Sequence, residues 1–459
     1  MKTPLSSPPR PSTPIRRVAI LFSGGPAPAA NAVIASAAGC LSRNGIEVLG
    51  ILNGYSNLVK YNPKEPLEEG TAYVRLDHKS LDGKRNSQGI MIGTSRANPG
   101  KLIRKPEDLV DPECTAPMKT TYAALLSLGV DALISIGGDD TLTTASKFKL
   151  YQDGLPKGSK RIRVVHLPKT IDNDYEGIDF TFGYFTAVEL LAAELYNLLN
   201  DSRATGTYYI AQVMGRQAGW LAYGAAIAGE ASLVIGWEDI PAEWKSTEPV
   251  IDPKTDKQRL DKQGKPLLRE IFDLRPVVQR IVDTIVAREN EGNRFGVIVM
   301  AEGIAEFLPQ SEIRECLSES EYRVLEPDTF GHFPVSQLKF TGRFSRLVAE
   351  RFKEVTKKER RFVGLQFGYE VRCHRPTAFD VILGSQLGVG AYRALAELGH
   401  DGVMVSVKDQ LCLLYEPFEK LIDRQKLRAR PRPIRAGKPG EEEEDFHKLA
   451  RYLEIRVDQ

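Results

Sequence analysis

The sequence contains little cysteine and carries almost no net charge, and each shortage excludes a class of protein. Five cysteines occur among 459 residues. They are scattered, odd in number and without CxxC or histidine spacing, so they predict a reducing compartment and neither a zinc site nor a disulfide framework. The formal net charge of +2 excludes a strongly basic surface for nucleic acid across the whole chain, but it leaves room for a local phosphate pocket.

Long apolar runs are also missing. No stretch approaches the roughly 18 uninterrupted apolar residues that span a membrane, so no membrane partner is expected. The start, MKTPLSSPPRPSTPIRR, is rich in proline and serine and lacks an apolar centre, which indicates a flexible leader over residues 1–15 and no signal peptide. With the cysteine pattern, these features predict a cytoplasmic protein.

The sequence does contain an alternation of apolar strands and helices. Its 459 residues exceed the size of a single core, so we expect two domains. The runs RRVAILFS, VDALISI and IRVVHL indicate buried strands separated by helices, which predicts an α/β fold with parallel sheets. Ligands of such sheets bind at the carboxyl ends of the strands, where FSGGPAP, SIGGDDT and HLPKTIDND occur.

Four later segments carry further predictions. Residues 337–355 indicate a helix, and FDVILGSQLGVGAYRALAELG indicates a long helix broken in places by glycine. The polar stretch near 240–275 indicates a surface insertion. The acidic run in GKPGEEEEDFHKLARYLEI indicates the solvated start of a helix.

The glycine-rich strand ends are typical of phosphate sites. In SGGPAP, glycine lets backbone N–H groups approach an oxyanion at a helix N-terminus, although a tight turn alone explains the pattern equally well. In GGDDT, Asp139 can reach a magnesium ion shared with a phosphate chain. The alternative is helix capping by Asp139 or Asp140, but two aspartates exceed what a cap requires.

The stretch HLPKTIDNDY carries the most chemistry. A sugar hydroxyl that attacks phosphorus must lose its proton, and Asp172 or Asp174 can accept it. The two carboxylates project the same way if the loop is extended. Lys169 can stabilise charge on a transferred phosphoryl group. An Asx-type turn is the alternative reading of the two aspartates.

Three more strand ends carry polar residues. Arg216 in MGRQAGW can pair with a phosphate through its planar fork, or form a surface salt bridge. Glu302 in MAEG can accept hydrogen bonds from sugar hydroxyls, or cap a turn. Tyr369 and Arg372 lie together in FGYEVRCHRP, where Arg372 is a candidate clamp for a second phosphate.

Taken in order, SGGPAP, GTSR, GGDDT, PKTIDND, MGR, AEG and GYEVR resemble the phosphofructokinase family. The resemblance implies two similar three-layer α/β domains with mainly parallel sheets and the active site in the cleft between them. It implies Mg²⁺-dependent phosphoryl transfer to the 1-hydroxyl of fructose 6-phosphate, in glycolysis or gluconeogenesis, by a homodimer or homotetramer. The implied parts are a leader (1–15), a donor domain (16–185 with 373–430), a sugar-phosphate domain (186–372) and a C-terminal tail (431–459).

The resemblance also implies a role for each matching residue. Asp172 corresponds to the base, with Lys169, Thr170 and Arg216 as the other catalytic residues, and Asp139 corresponds to the metal-linked aspartate. The implied donor contacts are Gly25, Arg96, Asp140 and Lys169. The implied sugar-phosphate contacts are Thr170, Asp174, Met214, Gly215, Arg216, Glu302, Tyr369 and Arg372.

Asp140 decides the expected donor. ATP-using members usually carry glycine there, which leaves space for the α-phosphate of the nucleotide. A carboxylate adds volume and negative charge, and pyrophosphate has no α-phosphate to meet it. Lys169 supplies a cation for the compact donor, so the pattern is similar to the pyrophosphate-dependent branch. Among the departures, Ala29 replaces a frequent glycine.

Three alternatives stay open at this point. The first is the same sugar chemistry with ATP as donor. The second is an NAD or lipid kinase, since such enzymes share GGDGT-like motifs but lack PKTIDND and the later series. The third is a non-catalytic, sugar-phosphate-sensing subunit, which we would expect to have lost the aspartate at position 172.

Overall fold

The computed structural model describes residues 11–459 except 262–263, 328–330, 339, 439, 456 and 458–459. The first ten residues of the predicted leader therefore lie outside the described residues. Of the remainder, Thr13 is held in place, because its hydroxyl donates to the Leu395 carbonyl at 2.8 Å, and Ile15 is buried. The chain divides into one unit of residues 1–187 with 371–431, and another of residues 188–370 with 432–459.

The described strands and helices alternate through most of the chain. The strands are β1 (Arg17–Ser23), β2 (Glu47–Ile51), β3 (Tyr73–Arg75), β4 (Ala132–Gly137), β5 (Arg163–Pro168), β6 (Tyr208–Val213), β7 (Leu233–Ile235), β8 (Lys245–Pro249), β9 (Leu268–Phe272), β10 (Gly296–Ala301), β11 (Phe362–Phe367), β12 (Val403–Lys408), β13 (Cys412–Pro417), β14 (Ile422–Asp423) and β15 (Arg428–Ala429). The α-helices are α1 (Ala30–Arg43), α2 (Pro112–Ser127), α3 (Asp139–Asp153), α4 (Tyr184–Thr205), α5 (Trp220–Ala228), α6 (Leu274–Asn290), α7 (Gln310–Glu315), α8 (Glu319–Arg323), α9 (Phe340–Thr356), α10 (Ala378–Tyr392), α11 (Phe418–Leu421) and α12 (Asp445–Leu453).

Each unit contains a mainly parallel sheet, which confirms the predicted α/β fold class. The first unit has the strand order β13-β12-β5-β4-β1-β2-β3, with antiparallel pairing only at its two edges. The second has the order β11-β6-β10-β7, and all three of its pairings are parallel. Residues 18–22 of β1 are fully buried, as expected for a strand covered on both faces. Adjacent parallel strands thus bring their carboxyl-terminal loops together.

Helix α10 is continuous, so the predicted interruption by glycine is wrong. Gly384 and Gly388 lie inside it, where it packs closely against α1. A Cβ at Gly388 would lie 2.5 Å from the backbone oxygen of Val33, so only glycine allows this approach. The helix predicted to begin at 337 instead begins at Phe340 as α9.

The polar segment near 240–275 is more than a surface insertion. It contains the antiparallel hairpin β8–β9, and Phe272 of this hairpin enters the core of the second unit. The Arg269 side chain is also fully buried, and its guanidinium donates to the carbonyl oxygens of Glu306 and Leu308. These two backbone oxygens replace part of the water lost by the guanidinium, and the Glu248 carboxylate lies 3.8 Å from its Nε.

The C-terminal residues 432–459 belong to the second unit, where α12 is fixed by an ionic cluster. His447 is buried, and its ring nitrogens contact Asp239 at 2.8 Å and Glu443 at 2.5 Å. Burial alone would lower the pKa of His447, but its bonds to these two carboxylates raise it above its ordinary value. Arg451, which is also on α12, forms an ion pair with Asp239 at 2.8 Å. The acidic run is therefore only partly solvated.

Candidate functional site

The first glycine loop follows β1 and leads into α1. Gly24 has φ 90°, and Ala29, immediately before the helix, has φ 65°. Both values fall in the left-handed region, which costs an alanine roughly 1–2 kcal/mol relative to ordinary helical geometry. A glycine at position 29 would avoid this cost.

The two aspartates of GGDDT begin helix α3 but do not cap it. The N-cap residue is Gly138, and no side-chain cap hydrogen bond is present there. The capping alternative is therefore wrong. Asp139 is half-buried and Asp140 is exposed, and both lie in the first turn, where the helix dipole favours negative charge.

A cavity of about 280 Å³ lies beside these loops in the first unit. The sequence-predicted residues Gly25, Arg96, Asp139, Asp140 and Lys169 all line it. Ser23, Gly24, Gly138 and Thr141 of the SGGPAP and GGDDT motifs line it too, whereas sequence reasoning missed Ala97, Asn98 and Thr144. Asn98 and Thr144 form part of its wall, and a 2.8 Å hydrogen bond joins their side chains. The spacing of these small polar residues carries no signal in the sequence.

The Lys169 ammonium lies where the two glycine loops meet. A Cβ built on Gly24 would be 3.6 Å from its Nζ, and one built on Gly138 would be 3.7 Å away. Burial lowers the pKa of Lys169, whereas Asp172, Asp174 and Asp139 act to raise it. The net effect is a lowered pKa, and the Lys169 amine lies near three carboxylates and beside two glycine turns.

The PKTIDND loop brings its two aspartates together, although not by an extended chain. Asn173 between them has φ 54°, so the loop is not extended at this point. The expectation that the two side chains project the same way because of an extended chain is therefore not met. Burial raises the pKa of Asp174 to about 7, assisted by the negative charges of Asp172 and Asp139. The hydroxyl of Thr170 accepts from the Asp172 N–H at 3.0 Å. The three carboxylates thus form one electrostatic group.

The sequence did not predict a role for two residues behind the loop, His166 and Tyr175. Tyr175 donates its hydroxyl proton to the Gly137 carbonyl at 2.8 Å, so it accepts from His166 Nε2 at 3.1 Å. Burial lowers the pKa of His166 to about 3, so its ring is neutral and carries its proton on Nε2. This pair connects the loop after β5 with the end of β4. The apolar strand pattern around His166 gave no reason to expect it.

Arg372 lies in the first unit, whereas sequence reasoning grouped it with the sugar-phosphate domain. Its positive charge adds to the lowering of the Lys169 pKa. Arg372 is therefore close enough to Lys169 to affect its pKa.

The remaining predicted residues lie in the second unit, at the carboxyl ends of the adjacent strands β11, β6 and β10. They are Met214, Gly215, Arg216, Glu302 and Tyr369. Gly215 has φ 125°, and its carbonyl accepts from the Gly303 N–H at 3.1 Å, which joins the MGR and AEG loops. Glu302 is nearly buried, and Tyr369 is exposed.

Arg216 forms the ion pair that the sequence left as an alternative. Its Nε and Nη2 atoms donate to the two carboxylate oxygens of Glu306 at 2.7 and 2.8 Å. The Arg216 side chain is 52% exposed and that of Glu306 is 8% exposed. His332 Nδ1 lies 3.1 Å from the same carboxylate. The fork is thus oriented by a nearly buried partner, and its exposed side is accessible to solvent.

In the described part of the chain, no group of three or more His, Cys, Asp or Glu side chains is placed to hold a metal ion by itself. Among the described helices, none is long and apolar enough to cross a membrane. The cysteines Cys40, Cys114, Cys316, Cys373 and Cys412 are all free thiols.

Comparisons with known proteins agree with one another. Residues 17–265 match the family model for phosphofructokinase. A pyrophosphate–fructose 6-phosphate 1-phosphotransferase of Thermotoga maritima is 31% identical over 96% of this chain and 91% of its own length. An ATP-dependent 6-phosphofructokinase of Corynebacterium efficiens is 30% identical over 86% of this chain and 90% of its own. The crystal structure of a pyrophosphate-dependent phosphofructokinase from Marinobacter aquaeolei has a similar fold, with TM-score 0.60 at 16% identity, covering 96% of this chain and 91% of that chain.

Proposed function

Because the chain belongs to the phosphofructokinase family, we propose that it transfers a phosphoryl group from pyrophosphate to the 1-hydroxyl of fructose 6-phosphate. The products are fructose 1,6-bisphosphate and phosphate, and the reaction is reversible. The observation that carries the proposal is the position of Lys169 among three carboxylates, between two glycine loops, beside a cavity lined by Asp139 and Asp140. Phosphoryl transfer needs groups of these kinds, held in place: a lysine, carboxylates and glycine loops that can approach a phosphate.

Asp172 is the proposed base. Burial, assisted by the negative charges of Asp172 and Asp139, raises the pKa of Asp174 to about 7, so near neutral pH a proton resides on Asp174 part of the time. In this proposal Asp172 accepts the proton of the 1-hydroxyl as its oxygen attacks the terminal phosphorus. The bond from that phosphorus to the bridging oxygen breaks, and phosphate leaves. Two neighbouring carboxylates with separated pKa values commonly divide such roles.

The cations have complementary roles. Lys169 and Arg96 stabilise the negative charge of the donor and of the transferred group. The exposed side of the Arg216 fork, oriented by Glu306, binds the 6-phosphate of the sugar together with Met214 and Gly215. Glu302, Tyr369 and Arg372 complete the sugar-phosphate contacts in this proposal.

Mg²⁺ fits the donor set around Asp139. This ion is usually bound by one or two carboxylates together with substrate phosphate oxygens and water, so the lack of a three-residue protein cage in the described residues is compatible with it. Asp139 would hold the ion against the donor. When bound, Mg²⁺ supplies charge neutralisation at the transferred phosphoryl group.

Pyrophosphate is the proposed donor because Asp140 lines the cavity beside Asp139. Relatives named for pyrophosphate and for ATP have similar identities to this chain, so overall similarity does not select the donor. We also infer a cytoplasmic homodimer or homotetramer, by analogy with the family and from the five free thiols.

Two measurements test the proposal. With Mg²⁺ and fructose 6-phosphate, we expect turnover with pyrophosphate to exceed turnover with ATP by at least tenfold, as about 1.4 kcal/mol of discrimination implies. A clear ATP preference would contradict the donor. Asp172→Ser should lower kcat by at least a hundredfold with little change in sugar-phosphate binding. Binding without turnover in the unaltered protein would instead favour a sugar-phosphate-sensing subunit.

A further inference from the structure

In the loop between β5 and α4, residues 169–183, the side chains of residues 171–176 alternate between buried and partly exposed. Asp172 and Asp174 are partly exposed, whereas Asn173 is 0% exposed and Tyr175 is 3% exposed. The proposed chemistry uses only the outward carboxylates. A fully buried amide between them therefore needs a separate explanation.

The backbone of Asn173 turns the chain between the two aspartates. Its φ of 54° lies in the left-handed region, which asparagine tolerates better than most residues. This turn sets the directions in which the preceding and following side chains leave the backbone. A residue that could relax to the ordinary extended region would redirect at least one carboxylate.

The side chain of Asn173 holds that turn in place. Its Oδ1 accepts from the Thr181 N–H at 3.0 Å, and its Nδ2 donates to the Asp179 carbonyl at 3.3 Å. These bonds connect the middle of the loop with its end. Because the amide is fully buried, removing it takes one hydrogen-bond partner from each of two backbone groups in a place with little access to water.

The same contact reaches the start of the loop. The Thr181 hydroxyl donates to the Thr170 carbonyl at 2.7 Å, and Lys169 and Phe182 pair through a parallel β-bridge. Asn173 and Thr181 therefore hold together the chain before and after the aspartates.

A second anchor holds the far end of the loop. The buried carboxylate of Asp380 on α10 accepts from the N–H groups of Gly183 at 3.0 Å and Thr186 at 2.7 Å. The end of the loop is thus attached to a helix that packs closely on α1. The loop therefore has two anchors, one at Asn173 and one at Asp380.

We propose that Asn173 is a positioning residue for phosphoryl transfer, which aligns the Asp172 and Asp174 carboxylates through its left-handed backbone and its bonds to Thr181 and Asp179. This inference rests on the proposed function. Asn173 does not touch the reacting atoms, so its loss should affect kcat more than substrate binding. A misplacement of about 1 Å at a reacting group costs on the order of a hundredfold in rate.

The test compares three variants of the full chain with Mg²⁺, fructose 6-phosphate and pyrophosphate. Asn173→Gly keeps the left-handed backbone but removes both side-chain bonds, and we expect kcat to fall roughly 10- to 100-fold with both KM values within about threefold. Thr181→Val removes the hydroxyl bond to the Thr170 carbonyl and the longer one, at 3.4 Å, to Asn173 Oδ1, but it keeps the backbone bond to Asn173, so it should lower kcat by a smaller factor in the same manner. Asn44→Gly is the matched control, because it removes a 2.9 Å amide-to-carbonyl bond at the exposed end of α1 and should leave kcat unchanged.

The outcomes separate this inference from the proposed function. An unaltered protein without turnover overturns the proposed function and this inference with it. An active protein whose Asn173→Gly variant keeps its kcat, or whose KM values rise in proportion to the loss of kcat, overturns only the inference. If Asn173→Gly does not fold, Thr181→Val decides, and a normal kcat in that variant refutes the positioning role.

Discussion

Replacing Asp140 by glycine is expected to shift donor preference towards ATP. Asp140 is exposed at the first turn of α3 and lines the cavity together with Asp139 and Lys169. A nucleotide places a further phosphate where pyrophosphate ends. The side chain would then oppose that phosphate by both its charge and its volume.

The magnitude follows from the exposure of Asp140. Two unit charges about 4 Å apart repel by roughly 1 kcal/mol in water and about 4 kcal/mol at an effective dielectric near 20. Because Asp140 is exposed, we expect the lower part of this range, about 1–2 kcal/mol. That corresponds to an increase of about 5- to 30-fold in kcat/KM for ATP. The value for pyrophosphate should change by much less.

The assay measures kcat/KM for both donors in parallel for the unaltered protein, Asp140→Gly and Asp140→Asn. The asparagine variant keeps the volume and removes the charge, so its gain isolates the electrostatic part. Thermal unfolding provides the stability control, because glycine in the first turn of α3 should cost about 1 kcal/mol. A donor ratio that stays within twofold of the original in both variants would refute the reasoning.

The remaining predictions concern stability. Gly388→Ala should lower the free energy of unfolding by at least about 2 kcal/mol, because its Cβ would lie 2.5 Å from a backbone oxygen. Gly384→Ala, with a nearest contact of 3.2 Å, should lower it by less. Chemical denaturation measures both, and equal losses would contradict the packing argument. Ala29→Gly should raise the free energy of unfolding by roughly 0.5–1 kcal/mol, because glycine relieves a φ of 65°, and an unchanged midpoint would contradict this. The pKa of His447 is raised in the folded protein, so its contribution is present at low pH and is lost as pH rises through that value. Hydrogen exchange of residues 445–453, corrected for intrinsic rates, should therefore be faster at pH 9 than at pH 6, and His447→Gln should abolish the difference. Equal protection at the two pH values would contradict the role of the ionic cluster.

Sequence reasoning could group the polar residues at the strand ends because that information is local. Glycine pairs followed by aspartates, and a lysine followed by two aspartates, have few structural uses other than binding a phosphate and a metal. Parallel strands then bring such loops to one edge of a sheet, as β1, β4 and β5 do here. Lys169, Asp139 and the two aspartates of the following loop could therefore be grouped before any coordinates existed.

Partners that meet through packing could not be found in this way. Asn98 and Thr144 are 46 positions apart, and Thr186 and Asp380 are 194 apart, so nothing in the local pattern connects them. Glu306 orients Arg216 although it lies 90 residues away. Long-range pairing of this kind depends on how elements pack, and it cannot be predicted from local patterns in a single sequence.

The sequence by itself determined the α/β class, the family and the kinds of side chain available for phosphoryl transfer, since apolar periodicity and short motifs are properties of neighbouring residues. Only the tertiary structure decided that Asp139 and Asp140 follow a glycine cap, that Asn173 turns left-handed between two carboxylates, and that Arg216 has a nearly buried partner. It also decided that burial raises the pKa of Asp174 to about 7. These properties depend on which groups exclude water from one another, and that is settled only when distant segments pack together.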